Sequence, residues 1–201
     1  TPDFSYPEAK EPFYIDAFVR ENGDIGIRND IWIVPTVGCV NSIGKILAEK
    51  TGAIYFSHPY GCSQLGDDMK ITQLILRGLI KHPNAGGVLV LGLGCENNTM
   101  EAMKKALEGK DDHIRYLVCQ QVEDEHAVGM AILREMIDKA STLNRESVPL
   151  SELAIGLKCG GSDAFSGLTA NPLVGRITDR VVALGGSAVL TEVPEMFGAE
   201  Q

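Results

Sequence analysis

Two kinds of apolar block alternate along this chain. Short continuous apolar runs read as strands buried on both faces. They are Ile31 to Val37, Ala53 to Ser57, Gly87 to Leu93, Tyr116 to Gln120, Ala154 to Leu157 and Ser187 to Val193. Between them, apolar residues recur every three or four positions, which is helical spacing. Ser42 to Lys50 shows it, as do Met69 to Lys81 through Ile71, Ile75 and Leu79, and Asn98 to Leu107 through Met100, Met103 and Leu107. Asp124 can cap a long helix carrying Val128, Ile132 and Met136. Asn171-Pro172 opens and Gly185 closes a last helix, whose predicted buried face is Leu173, Ile177, Val181 and Leu184.

Strands separated by single helices predict an α/β fold. We expect a doubly wound, mostly parallel, Rossmann-like sheet of about six strands with helices on both faces. Residues 1–17, rich in Pro and charge, read as a linker or arm that runs into a short edge strand near Phe13 to Val19. Residues 18–201 read as a single α/β domain, since no Pro/Ser/Gly-rich break divides them.

Composition narrows the partners. The formal charge is −9, so nucleic acid and anionic membrane surfaces are not expected to bind. No apolar run reaches the roughly 18 residues of a membrane span. No charged start followed by an apolar core is visible, and the five cysteines have no short-spaced framework. The expectation is a cytoplasmic protein with free thiols.

Candidate chemistry collects after the strands. If the strands are parallel, their C-terminal ends share one edge, where open α/β sheets bind ligands. Gly38-Cys39, His58 with Gly61-Cys62, Gly94-Cys95-Glu96, Lys158-Cys159-Gly-Gly-Ser162-Asp163 and Thr191-Glu192 all follow strands. Thiolate, imidazole and carboxylate at one rim can form a transition-metal site. A small buried thiol is the plain alternative for each cysteine, and the expected role for Cys119. Arg28 and Asn29, before the first strand, could hold a substrate carboxylate; the alternative is a solvated turn with an ion pair to Asp24 or Asp30. Gly92-Leu-Gly-Cys-Glu-Asn97 lacks the third Gly of a dinucleotide fingerprint, and no Gly-Lys-Ser/Thr phosphate loop is present.

Several long motifs are familiar. They include Gly23-Asp-Ile-Gly-Ile-Arg28-Asn29, Val-Pro-Thr-Val-Gly-Cys39, His58-Pro-Tyr-Gly-Cys62, Gly92-Leu-Gly-Cys95-Glu96, Lys158-Cys-Gly-Gly-Ser-Asp-Ala-Phe-Ser-Gly-Leu-Thr-Ala-Asn-Pro172 and Thr191-Glu-Val-Pro-Glu-Met-Phe-Gly-Ala-Glu200. From about residue 18 onward the chain resembles the altronate/galactarate dehydratase family, related to the sulfolactate sulfo-lyase large subunit, whose members are longer. The resemblance implies a core-domain fragment of an enzyme that removes water from a sugar acid to give a 2-keto-3-deoxy acid. It also implies a divalent metal, Fe2+ first and Mn2+ second. On that basis Cys62, Cys95 and Cys159, with Cys39 in reserve, are candidate metal ligands. His58, Asp163, Glu96 and Glu192 compete as acid and base; Arg28, Asn29 and Ser162 would grip the substrate. A homodimer is expected. The alternatives are sulfite elimination from sulfolactate, or a non-catalytic dimerisation or substrate-docking module.

Overall fold

The computed structural model describes residues 11–107, 112–161, 163–192 and 198. They fall into two compact units. One runs from Phe18 to Arg145; the other joins the chain up to Ala17 to the chain from Glu146 onward.

In the larger unit, Phe18 and Val19 of β1 (Tyr14–Val19) pair antiparallel with β2 (Ile25–Gly26). The chain then alternates: β3 (Asp30–Pro35), α1 (Asn41–Thr51), β4 (Ile54–Tyr55), α2 (Asp67–Ile80), β5 (Ala85–Gly92), α3 (Met100–Leu107), β6 (Ile114–Val118) and α4 (Glu125–Ser141). β3 to β6 form one parallel sheet in the order β4-β3-β5-β6. The period-two pleat divides its side chains between two cores. Ile31, Ile33, Leu89, Leu91 and Leu117 pack with Leu47 of α1 and Leu133 and Met136 of α4. Trp32, Val34, Val88 and Val90 pack on the other face with Leu76 and Ile80 of α2 and Met100, Met103 and Leu107 of α3. A sheet buried on both faces explains why its strands read as continuous apolar runs.

In the smaller unit, β7 (Glu146–Pro149) pairs antiparallel with Tyr14–Ala17 of β1. β8 (Ala154–Leu157), α5 (Ala170–Ala183) and β9 (Ser187–Leu190) form a strand–helix–strand unit, with β8 and β9 parallel.

Two expectations change, and the inner face of α2 is located. The six strands expected in one sheet form a four-stranded and a two-stranded parallel sheet among the described residues. Apolar runs identify strands but do not say which hydrogen-bonds to which. Of the stripe that marks α2 as helical, Ile71-Ile75-Leu79, only Leu79 packs on the core, partly buried beside Leu76 and Ile80, while Ile71 and Ile75 are exposed. Of the face predicted for α5, only Val181 is buried.

Candidate functional site

The order β4-β3-β5-β6 reverses direction between β3 and β5, the first and third strands of this sheet in the chain. A crevice outside the C-terminal ends of such a pair is where open α/β sheets hold ligands. The segments that leave β3, β4 and β5 meet there, and buried polar residues tie them together.

Glu96 is the centre of that tie, at 5% exposure. Its Oε1 accepts from the Thr36 hydroxyl at 2.7 Å and the Leu93 amide at 3.1 Å, and its Oε2 accepts from the Gly94 amide at 2.5 Å. Burial alone would raise its pKa. The Gly94 amide, the Thr36 hydroxyl and the amides of Glu96 and Leu93 outweigh burial and hold the carboxyl below its ordinary value. Glu96 is therefore an anion at neutral pH, and four donors take up most of the acceptor capacity of a carboxylate.

Asn98, fully buried, makes the second tie. Its Nδ2 donates to Thr36 O at 2.9 Å, its amide donates to Gly61 O at 3.0 Å, and its Oδ1 accepts from Gln73 Nε2 at 3.0 Å. The contact leaves no room for a side chain at Gly61. A Cβ there would lie 2.2 Å from Thr36 O, and its φ is +103°. The next loop residue but one, Ser63, holds a left-handed φ of 56° while its amide donates to Asn97 Oδ1 at 3.2 Å. Strain of this kind persists where surrounding contacts over-determine the backbone.

His58 lies at the same rim. Its Nε2 donates to Pro35 O at 2.8 Å and its Nδ1 accepts from the Tyr60 amide at 3.2 Å, partners that define the neutral tautomer protonated on Nε2. Its carbonyl accepts from Asn41 Nδ2 at 3.0 Å, and Asn41 Oδ1 in turn accepts from the Tyr55 hydroxyl. Burial pushes the Tyr55 phenol up to about 12. Cys39 and Cys95 are exposed at the rim, and Cys62 is half-buried against the core. Cys119 is buried in a short turn after β6, where desolvation first, and then the charges of Glu125 and Glu96, push its thiol up to about 11. His126, in the first turn of α4, has a buried Nδ1 without a hydrogen-bond partner among the described residues.

The smaller unit gathers its own set. The parallel pairing of β8 and β9 brings their exits together, so Glu192 Oε2 accepts from the Cys159 amide at 3.1 Å and Glu192 Oε1 lies 3.9 Å from Lys158 Nζ. Glu192 has a left-handed φ of 62°. Asp163 is exposed, and its Oδ1 accepts from the Phe165 amide at 2.7 Å. Ser162 lies outside the described residues.

Arg28 and Asn29 are not brought to the rim. They precede β3 and so lie at the opposite end of the sheet. Arg28 pairs with Asp30 at 2.9 Å. Asn29 uses both ends of its amide structurally: Oδ1 accepts from Arg20 Nη1 and Nδ2 donates to Ala140 O, each at 2.8 Å.

The donor chemistry at these loops, thiols and carboxylates, suits a divalent transition metal. Within either unit, however, no three His, Cys, Asp or Glu side chains among the described residues gather closely enough to hold an ion. Thr36 and Ser63 are the rim residues that sequence reasoning passed over. Thr36 carries the only faint signal, being a polar residue directly after an apolar strand.

Residues 17–141 match the model of the second domain of D-galactarate dehydratase/altronate hydrolase, and residues 150–201 match that of the D-galactarate/altronate dehydratase C-terminal domain. The chain is 54% identical, over its whole length and 43% of the relative's, to an altronate dehydratase of Bacillus subtilis (strain 168). It is 48% identical, again over 100% of the chain and 43% of the relative, to an altronate dehydratase of Escherichia coli (strain K12). A (2R)-sulfolactate sulfo-lyase subunit beta of Chromohalobacter salexigens is 33% identical over 90% of the chain and 47% of its own length. The chain thus spans less than half the length of these relatives. Domain matches covering most of the chain, together with whole-chain identity near one half, have one reading: the chain belongs to the D-galactarate dehydratase/altronate hydrolase family.

Proposed function

We propose that the full-length protein dehydrates a sugar acid of the altronate or galactarate type to a 2-keto-3-deoxy acid. The observation that supports the reading best is the rim at the sheet reversal, where thiols, an imidazole and a clamped carboxylate follow three adjoining strands. Family membership supplies the reaction.

The chemistry is an elimination. A base takes the proton from C2, next to the carboxylate, and the electron pair moves into the carboxylate as an enediolate. The C3 hydroxyl then leaves as water when an acid protonates it, and the enol product tautomerises to the 2-keto acid. Asp163 and Glu192, carboxylates on strand-exit loops, are our candidates for base and acid. Glu96, held by the Thr36 hydroxyl and backbone amides, and His58, held by Pro35 O and the Tyr60 amide, would serve as walls. Metal dependence belongs to the proposal: a divalent ion, Fe2+ before Mn2+, with Cys62, Cys95 and Cys159 as thiolate donors and Cys39 beside them. The test is dehydration of altronate, galactarate and, as the rival, sulfolactate by the full-length protein after anaerobic Fe2+ loading. Asp163→Asn or Glu192→Gln should lower kcat by about 100-fold or more with the fold intact. No turnover of either sugar acid, or both variants at wild-type rate, overturns the reading.

A further inference from the structure

The loop between β4 and α2 carries Cys62 and turns at Gly61, where φ is +103° and no side chain fits. Both peptide groups beside Gly61 are gripped, and each grip is a side-chain amide that leads back to α2. On one side the Gly61 amide donates to Gln64 Oε1 at 3.0 Å, and Gln64 Nε2 donates to the Thr72 hydroxyl at 2.7 Å. On the other, Gly61 O accepts from the Asn98 amide at 3.0 Å, and Asn98 Oδ1 accepts from Gln73 Nε2 at 3.0 Å. Thr72 and Gln73 are consecutive residues of α2, the first buried and the second half-buried.

Each relay is fixed in direction. The Gly61 N–H can only donate, so Gln64 turns its oxygen to it and its NH2 group to Thr72. Thr36 O can only accept, so Asn98 turns its NH2 group to it and its oxygen to Gln73. An apolar residue at 73 would orphan the Asn98 oxygen in a buried place, and one at 72 would leave the Gln64 NH2 group only its 3.3 Å bond to Asp68 O. Neither amide can repair the loss by flipping, because the flip sets donor against donor or acceptor against acceptor at its other end. We propose that Thr72 and Gln73 are positioning residues. Through them α2, a rigid element, sets the Gly61–Cys62 peptide and with it the place of the Cys62 thiol at the rim. The inference rests on the reaction proposed above only in counting this loop as part of the reacting site.

Alkylation of the native full-length protein, mapped by mass spectrometry, tests it. Cys62 is half-buried against the core, so its modification waits on movement of this loop. Gln73→Met and Thr72→Val keep the shape of the side chain and remove its polar group. Each should speed modification of Cys62 about fivefold, the factor of one lost hydrogen bond, with Cys159 at the parent rate and Cys119 still protected. Thr72→Ser keeps the hydroxyl and should restore the parent rate. Residues that merely stabilise the fold would expose Cys119 along with Cys62. Turnover of altronate or galactarate should fall about tenfold or more in Gln73→Met and Thr72→Val and recover in Thr72→Ser. Should Thr72→Val fail to fold, Gln73→Met, at a half-buried position, carries the test. Unchanged labelling of Cys62 in Gln73→Met, Cys119 labelled as fast as Cys62, or full turnover in Gln73→Met overturns the positioning role. A parent that dehydrates neither sugar acid overturns the proposed reaction, and the labelling of Cys62 still decides this inference.

Discussion

A buried carboxylate with no cation beside it stays charged only when hydrogen-bond donors surround it. Glu96 meets that condition through Thr36, Leu93, Gly94 and its own amide. Its folded pKa is lowered, so its contribution to stability is complete above the unfolded value of 4.5 and is lost as pH falls through the folded value. Glu96→Gln should cost about 1–3 kcal/mol at neutral pH, because its NH2 group would face amide donors, and should remove part of the acid-induced loss. Urea midpoints followed from neutral to acid pH check both effects. Cys119 has the opposite sign. Its raised pKa stabilises the fold below the ordinary thiol value of 9.0, and that contribution is lost as pH rises toward about 11. Alkylation at mildly alkaline pH, mapped by mass spectrometry, should therefore label exposed Cys39, Cys95 and Cys159 first, half-buried Cys62 later and Cys119 last. Equal labelling of Cys119 and Cys95 would contradict this burial. The role expected of Cys119 from sequence is the one it has. The anchoring of Glu96 was legible only in part: the Leu93 and Gly94 amides lie in its own motif, Gly92-Leu-Gly-Cys95-Glu96, but the Thr36 hydroxyl comes from 60 positions away.

Elements carry clearer signals than site residues. Helices α1 to α4 follow from apolar spacing, and Asp124 caps α4 by accepting from the Ala127 amide at 2.8 Å. Asp124→Ala should cost about 1 kcal/mol in a denaturant titration. The loop between β4 and α2 is a harder constraint. Gly61→Ala combines a φ of +103° with a Cβ 2.2 Å from Thr36 O, so we expect a loss of about 2 kcal/mol or more. Thermal unfolding measures it, and a wild-type melting temperature would refute the packing described. Faces of helices were less legible than the helices themselves. α2 carries apolar residues on both sides, and periodicity alone cannot choose between Ile71-Ile75 and Leu76-Ile80 as the inner pair. For α5 the pattern named four core positions, of which Val181 alone is buried.

For the whole molecule, the decisive quantity is strand order. It puts Cys39, His58, Cys62 and Cys95 at one end of the larger sheet and Arg28 and Asn29 at the other. Arg28→Ala should change stability by no more than about 0.5 kcal/mol, since its pair with Asp30 is a surface ion pair. Asn29→Ala should cost about 1–3 kcal/mol by orphaning its partners Arg20 and Ala140. Equal effects in parallel denaturation curves would argue against this placement. No helix among the described residues is long and apolar enough to cross a membrane. The sequence by itself determined where the six parallel strands and helices α1 to α5 lie and that thiols and carboxylates follow the strands, though not the short antiparallel strands β2 and β7. Those signals are local: a pleat or a helical turn repeats within a few residues. Only the tertiary structure decided that four strands form one sheet and two another, which side of α2 faces in, and that Thr36, Glu96 and Asn98 clamp the rim. The hydrogen bonds that make the clamp join positions 60 and 62 apart. Partners so distant are selected by packing of the whole chain, and no short stretch of sequence encodes them.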